Sequence, residues 1–249
     1  MKSDESPKAT SVRTFELMWG VREQSSRGPK QGLTIEAIVR TAIELADAEG
    51  LTALSMRKVA ERLGVGAMTL YTYVPGKDEL IALMIDAVMS ERPDRRDAEG
   101  DWRARLELVA RDGWDLCHRH MWLVDVGSER NLVGPGQMDA YESELSAIAG
   151  IGLTPTEMVS VISLVTGFVG GAVRGAVQVI QEERRTGLTR DQWWEQIAPV
   201  FDKYIAYERY PTVMSTGEAE SHADGPKEAF EFGLARVLDG IEVLIRSRR

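Results

Sequence analysis

The sequence predicts an all-α fold in two domains. Its longer apolar sets recur at three and four residues, the spacing of one face of a helix, and convincing alternating strands are absent. The polar segment "ERPDRRDAEGD" marks a change of composition between a shorter N-terminal part and a longer C-terminal part. We therefore expect a flexible extension at 1–29 and helical domains at 30–91 and 101–249.

Composition indicates an ordinary soluble protein. Hydrophobic residues make up 43% and charged residues 28% of 249 residues, and the single cysteine, Cys117, excludes an internal disulfide. The longest uncharged run, Met158–Val173, is shorter than the ~20 residues that span a bilayer. The N-terminal "MKSDESPKATSVRT" lacks the apolar core of a secretory signal. These observations predict a cytoplasmic protein without a membrane partner.

The formal net charge of −9 does not exclude a nucleic-acid partner, because its distribution is uneven. Residues 1–77 hold 11 Lys and Arg against 9 Asp and Glu, whereas the remainder holds 19 against 30. The acidity therefore belongs to the C-terminal part.

The N-terminal extension carries little pattern. Residues 1–12 read as disordered, and one face of a short helix then holds Phe15, Met18 and Trp19. "SSRGPKQG" reads as a basic linker, in which Arg27 and Lys30 could lie along DNA or could equally be solvated.

Four helices follow in the first domain. A capping residue, proline or glycine marks most of their ends, and their predicted bounds are 34–50, 55–64, 66–73 and 75–90. Gly64 is expected at a tight turn with positive φ, while Val59 and Leu63 face inward. Such a layout is typical of a helix-turn-helix, whose second helix can enter a major groove. An ordinary helical hairpin has the same spacing.

The second domain is also predicted to be helical. Its helices are expected at 102–118, 121–126, 136–149, 155–185 and 190–207 and from Pro226 onward. "YPTVMSTGEAESHADG", residues 210–225, reads as a mobile polar loop.

Two stretches carry a family resemblance. "AIELADAEGLTALSMRKVAERLGV" and "MTLYTYVPGKDELIALM" resemble the DNA-binding domain of tetracycline-repressor-type (TetR) transcriptional regulators, over about a fifth of the chain. The helical remainder is similar in outline to that family's effector-binding and dimerisation domain. The resemblance implies a regulator, most simply a repressor, that binds a palindromic operator in double-stranded DNA as a homodimer and is released by a small-molecule effector.

The resemblance, with the chemistry of the side chains, assigns the DNA contacts. Arg57 is the best candidate to read a guanine edge, and Lys77 suits a phosphate beside a helix N-terminus. The full predicted set is Ser55, Arg57, Gly66, Ala67, Met68, Thr69, Tyr71, Thr72, Tyr73 and Lys77. Tyr71 and Tyr73 suit the phosphate backbone. "GAM" lacks the polar side chains that many relatives carry at the start of this helix, so the operator sequence stays open.

One apolar stripe runs from Met158 to Ile180 on the 155–185 helix, and a second runs from Phe230 to Ile245 on the last helix. Together the two stripes suggest a dimer interface. Gly167, Gly171 and Gly175 repeat every four residues, which allows close helix packing. We expect an intersubunit four-helix bundle, the arrangement that the resemblance also implies, with contacts from Val165, Val169, Val173, Leu234, Leu238 and Ile241. For either stripe alone, ordinary intrachain core is the alternative.

An effector cavity is expected in the same domain. Its predicted lining is Trp114, His118, Trp122, Met138, Phe168 and Arg174, with Cys117 and Met121 nearby. Aromatic residues and methionines at helical spacing are also typical of core, and Arg174 could pair with a carboxylate instead of an anionic ligand.

Enzymatic chemistry is not expected. "GVGAMT" follows a helix and lacks the lysine of a phosphate loop, and His118 and His120 are two residues apart, so a helix directs them to different sides. We predict no catalytic residues, metal or cofactor. The alternative function is a helical interaction or scaffold protein that binds no specific DNA.

Overall fold

The protein is all-helical throughout the residues that the computed structural model describes, which are 7–20, 33–126, 133–221 and 225–248. The α-helices in these ranges are α1 Pro7–Met18, α2 Ile35–Glu49, α3 Met56–Arg62, α4 Ala67–Tyr73, α5 Lys77–Met89, α6 Trp102–Arg119, α7 Pro135–Ser146, α8 Pro155–Thr186, α9 Arg190–Tyr204, α10 Pro211–Ser221 and α11 Pro226–Arg246. Three single 3-10 turns cover Leu51–Ala53, Met121–Asp125 and Tyr207–Arg209.

Local capping chemistry sets the helix ends. The hydroxyls of Thr34 and Ser55 accept the backbone N–H groups of the residues three positions on, as the sequence predicts. Thr154 begins α8 with a reciprocal capping box to Glu157. Gly187, with φ of 71°, ends α8 in the left-handed conformation that favours glycine.

The chain buries two separate hydrophobic cores. The first lies among α2 to α5 and includes Ile38, Leu45, Val59, Leu70, Leu80 and Met84. Leu116 of α6 and Trp122 of the 3-10 turn after it also belong to this core. The second lies among α6, α8 and α11. The C-terminal part therefore supplies buried side chains to the N-terminal core, which fixes the two parts to each other.

Several predicted elements need correction. Residues 7–12 are helical, because α1 packs against α5 and buries Thr14 completely. Residues 211–221 of the expected polar loop form α10, which begins with a proline in the first turn. Helix α5 begins at Lys77 rather than at Pro75, and α9 ends at Tyr204. The predicted basic arm with Arg27 and Lys30 lies outside the described residues.

The predicted dimer residues are buried within one chain. Val165, Val169 and Val173 of α8 pack with Leu234, Leu238 and Ile241 of α11, and each is at most 7% exposed. The two stripes are thus the intrachain contact between α8 and α11. Phe168 of α8 packs directly on Gly233 of α11, since a Cβ on this glycine would lie 2.6 Å from the phenyl ring.

The outer face of α8 has a different character. Gly167, Gly171 and Gly175 are exposed, and a Cβ added to any of them would meet nothing within 4 Å. Leu164 beside them is 52% exposed. By length and composition alone, α8 is also apolar enough to cross a membrane. Its buried valine stripe against α6 and α11 is the pattern of a core helix in a helical domain.

Candidate nucleic-acid interface and effector region

The turn between α3 and α4 is a Schellman motif. The Val65 N–H donates to the Ala60 carbonyl, and the Gly64 N–H donates to the Glu61 carbonyl. Gly64 has φ of 68°, in the left-handed region that a side chain disfavours. The predicted positive φ at this glycine is confirmed. The motif ends α3 within one residue and allows α4 to leave at a new angle.

Helix α4 is anchored on one side and open on the other. Leu70 and Val74 at its end are fully buried in the first core. Met68 is 79% exposed, and Thr69, Tyr71 and Thr72 are also exposed, whereas Ala67 and Tyr73 are half-buried. This helix therefore presents a continuous ridge of side chains to the solvent, which is the geometry that a groove-reading helix needs.

The basic side chains of α3 pair with carboxylates. Arg57 Nε donates to Glu61 Oε1 at 2.8 Å, and this hydrogen bond raises the pKa of the Arg57 guanidinium. Lys58 Nζ donates to Glu49 Oε2 at 2.9 Å, which lowers the pKa of the Glu49 carboxyl. Arg62 lies 3.7 Å from the same carboxylate. All these groups are solvent-exposed, so phosphate oxygens can compete for the cations at little desolvation cost.

The remaining predicted contacts have structural roles in the free chain. The Ser55 hydroxyl caps α3, and Gly66 is the N-cap residue of α4. Lys77 Nζ donates to the Leu51 carbonyl at 3.4 Å, which holds the ammonium beside the start of α5. The Thr72 hydroxyl donates to the Thr69 carbonyl at 2.6 Å, so it must rotate to donate to a phosphate.

Helix α1 adds contacts that sequence reasoning missed. Arg13 Nη2 donates to the Thr72 carbonyl at 3.0 Å, where the guanidinium supports the last turn of α4. One residue beyond the C-terminus of α1, the Trp19 indole N–H donates to the Val133 carbonyl at 3.1 Å, just before α7. The amphipathic pattern around Phe15 predicted the helix, but no local signal predicted these partners.

Helix α7 docks on α5 through a carboxylate. Asp86 is 8% exposed, and its Oδ1 accepts the Gln137 N–H at 2.9 Å in the first turn of α7. A Cβ on Gly134 would lie 2.3 Å from Asp86 Cγ, and one on Gly136 would lie 2.2 Å from the Asp86 carbonyl oxygen. Asp86 thus caps a helix of the second domain from α5, the helix that follows α4.

Half of the predicted effector residues come together. Trp114 stacks on Phe230 and lies against His118, with ring centroids 4.4 Å apart in both pairs, and Phe168 stacks on Phe230 at 5.8 Å. His118 Nδ1 is 2.8 Å from the Trp114 carbonyl, and burial raises the pKa of the neighbouring Cys117 thiol. This aromatic cluster joins α6, α8 and α11.

The other three predicted effector residues lie elsewhere. Trp122 is in the first core, where its indole N–H donates to Asp47. Met138 is 47% exposed on α7, and Arg174 is exposed on α8. Tertiary packing separates them from the aromatic cluster, although the types of all six residues are typical of a cavity lining.

A polar cleft lies beside α7. It has a volume of about 200 Å³ and lies between the chain that follows α5 and the facing sides of α6 and α7. Arg92 and Arg95 line it, with Arg92 paired to Glu144 at 2.6 Å and Arg95 to Asp112 at 2.8 Å. Its lining contains none of the six predicted effector residues.

Comparisons with known proteins agree with this architecture. Residues 38–84 match the family described as "Bacterial regulatory proteins, tetR family", and residues 93–245 match "Tetracyclin repressor-like, C-terminal domain". The chain is 46% identical to the HTH-type transcriptional repressor DrrR1 of Streptomyces coeruleorubidus, over 96% of this chain and 88% of that protein.

Solved structures give the same picture. The Streptomyces coelicolor TetR family protein ActR in complex with actinorhodin aligns with a TM-score of 0.71 and 26% identity, over 84% of this chain and 95% of that chain. Apo ActR aligns with a TM-score of 0.72 over 89% and 100% of the two chains, at 24% identity.

Proposed function

The chain belongs to the TetR family of bacterial transcriptional regulators, and we propose that it represses transcription as a homodimer on a palindromic operator until a small-molecule effector releases it. Its partners are then double-stranded DNA, the effector and a second copy of the chain. A bacterial transcriptional regulator acts in the cytoplasm, where the DNA is.

The ridge on α4 carries the proposal. Leu70 and Val74 fix the helix in the core, while Met68, Thr69 and Tyr71 extend into solvent. Arg57 of α3 is exposed as well. An ordinary helical hairpin has no reason to expose a methionine and a tyrosine together on a helix of seven residues. A major groove offers both of them partners, since methyl groups and phosphates line it.

The second copy is proposed on the outer faces of α8 and α11. Leu164 and the exposed glycines of α8 allow another helix to approach closely, and α11 exposes Phe232 and Val243 by about two thirds each. Trp193 and Trp194 of α9 are also close to half exposed. Such an apolar surface favours an interface between subunits, in which each chain contributes its α8 and α11 to a four-helix bundle.

The effector is proposed to bind beside the aromatic cluster, among α6, α7, α8 and α11. Stacked rings in a helical domain suit a flat, unsaturated ligand. The structure of ActR in complex with actinorhodin supports a small-molecule ligand for this chain as well. Asp86 of α5 caps α7, so a ligand that moves α7 would also move α5. Helix α5 follows α4 directly, so α4, the proposed DNA reader, would move with it.

The test is selection of bound sequences from random duplex DNA. We expect an enriched palindrome whose half-sites lie about one helical turn, ~34 Å, or a multiple of it apart. Binding of the selected duplex should weaken steeply with salt. The same selection on Arg57→Ala, a matched variant, should lose one base preference per half-site. Enrichment of no sequence by the wild-type dimer would favour the alternative, an interaction protein without specific DNA binding.

A further inference from the structure

A buried histidine joins the two domains. His120 lies between α6 and the Met121–Asp125 turn, and its side chain is 9% exposed. Nδ1 is 2.9 Å from Asp47 Oδ1 on α2, and Nε2 is 3.1 Å from Glu91 Oε2, two residues beyond α5. One ring therefore connects the second domain to two different elements of the DNA-binding domain.

The two contacts require a particular protonation state. An ionised carboxylate only accepts hydrogen bonds, so each nitrogen must carry a hydrogen for both bonds to form. A neutral imidazole carries one N–H and leaves the other nitrogen facing a carboxylate, lone pair against lone pair. Both hydrogen bonds are made only by the imidazolium, which also places a positive charge between two negative ones.

The surrounding charges have fixed partners. Asp47 Oδ1 also accepts the Trp122 indole N–H at 2.8 Å, and Glu91 Oε2 lies 3.3 Å from Arg119 Nη1 of α6. On α8, which packs against the same turn, the charged residues before Glu182 are Glu157 and Arg174. Glu157 pairs with Arg248, and Arg174 is exposed.

A shared metal ion does not explain the arrangement. The two carboxylates lie at opposite nitrogens of the ring, so they cannot ligate one ion together with it. No cluster suited to a metal occurs within the described ranges.

We propose that His120 is a positioning residue that holds the DNA-binding domain at a fixed angle to the second domain, and that this hold depends on a proton. At low pH both hydrogen bonds form. As pH rises and the ring loses a proton, one bond and the ion pairs are lost, and α2 and α5 gain freedom relative to α6. Operator binding must then remove that freedom again, so affinity falls as pH rises.

The operator arm of the test rests on the proposed function. Operator affinity of the full-length dimer is measured by fluorescence anisotropy at about pH 6 and about pH 8.5, which bracket the range where histidines titrate. We expect the wild type to lose about fivefold or more of its affinity, the lower range of coupling between sites. The operator affinity of His120→Asn should be almost the same at the two pH values. His222→Asn, which removes a histidine outside the described residues, should behave like the wild type.

A second arm does not need DNA. The chain has three histidines, so ¹⁵N NMR of their side chains can follow each ring separately. We expect both His120 nitrogens to carry a hydrogen at about pH 6 in the wild type. In the operator arm, Glu91→Gln should reduce the pH dependence of operator affinity, because its neutral amide can hydrogen-bond Nε2 whether or not that nitrogen carries a hydrogen. Glu91→Gln preserves the volume of the side chain, so it tests the idea even if His120→Asn folds poorly.

The outcomes are distinguishable. Equal pH dependence in the wild type and His120→Asn, or a neutral His120 at about pH 6, overturns the proton-dependent hold. If the wild type binds no duplex at either pH, the proposed function fails, and the NMR arm alone decides the protonation of His120.

Discussion

The guanidinium of Arg57 is held by the carboxylate of Glu61, one helical turn further along α3, with 2.8 Å between Nε and Oε1. This hydrogen bond uses the Nε–H of Arg57, and the N–H groups on its two Nη atoms donate no hydrogen bond to the described residues, so they stay available to a base or a phosphate. The side chains are 84% and 60% exposed. Because an exposed pair at this spacing is weak, it favours one direction of the side chain that we propose as the base reader and does not bury it.

Replacing Arg57 tests this role. Arg57→Ala should weaken binding to the operator by about 1–3 kcal/mol and relax the preference at one base pair per half-site. Glu61→Gln should instead tighten binding to every duplex, because a carboxylate that repels phosphate is removed. Anisotropy titrations with single-base operator variants measure both effects. An unchanged base preference in Arg57→Ala would mean that another residue reads the sequence.

Lys77 should act without regard to sequence. Its ammonium lies beside the start of α5, against the Leu51 carbonyl, where a phosphate can replace that weak contact. Lys77→Ala should weaken binding to operator and random duplex alike, and reduce the slope of log affinity against log salt by about one unit. Lys77→Arg is the matched control and should retain the slope. A loss restricted to one sequence would contradict a phosphate contact.

Arg13 should support the recognition helix from behind. Its guanidinium donates to the Thr72 carbonyl, so Arg13→Ala removes one donor and one positive charge from the last turn of α4. We expect operator affinity to fall about threefold to tenfold, with base preferences unchanged, because a solvent-exposed hydrogen bond contributes only about 0.5–1.5 kcal/mol. Val12→Ala, at an exposed position of α1, is the control. If Arg13→Ala matches this control, α1 does not support α4.

Local features of the fold could be predicted, and long-range partners could not. Thr34, Ser55 and Gly64 act on residues within five positions of themselves, so their cap and turn geometry follows from the sequence. The stripe through Val165 and Val169 predicts that one face of α8 is buried. It does not indicate whether the covering helix belongs to the same chain or to a second copy. In the structure, α11 of the same chain covers this face.

The effector region shows the same limit. Trp114 and Trp122 are eight residues apart and similar in kind, yet they lie in different cores. The 3-10 turn after α6 redirects the chain between them, and Asp47, 75 residues away, supplies the partner for Trp122. Such a contact depends on how helices pack, which a single sequence does not encode as a local pattern.

A glutamate on the proposed dimer surface and a glutamate in the second core should have different effects. Leu164→Glu, on the outer face of α8, should give a folded monomer that no longer binds the operator. Leu238→Glu should instead destabilise the chain itself by several kcal/mol, because it buries an unpaired charge in the second core. Sedimentation and thermal unfolding separate the two, with Ala48→Glu at an exposed site of α2 as the control. A dimeric Leu164→Glu would exclude this face as the interface.

Asp86 should carry the effector signal from α7 to α5. Its carboxylate caps α7, and the two glycines at 134 and 136 allow no side chain between the helices. Asp86→Asn should cost about 0.3–1 kcal/mol of stability, because the negative charge at the N-terminus of α7 is lost, and should leave operator affinity without effector nearly unchanged. The effector should then bind but release little DNA, whereas a hundredfold release in the wild type corresponds to ~2.7 kcal/mol of coupling.

A ligand found by thermal-shift screening, with binding verified by calorimetry, allows the measurement in a DNA titration with and without it. Gly136→Ala tests the same contact from the other side, and Glu142→Gln, at an exposed site of α7, is the matched control. If both contact variants release DNA as fully as the wild type does, the signal reaches α4 by another route. The next contact to test is then that of His120, which joins the end of α6 to α2 and to Glu91 after α5.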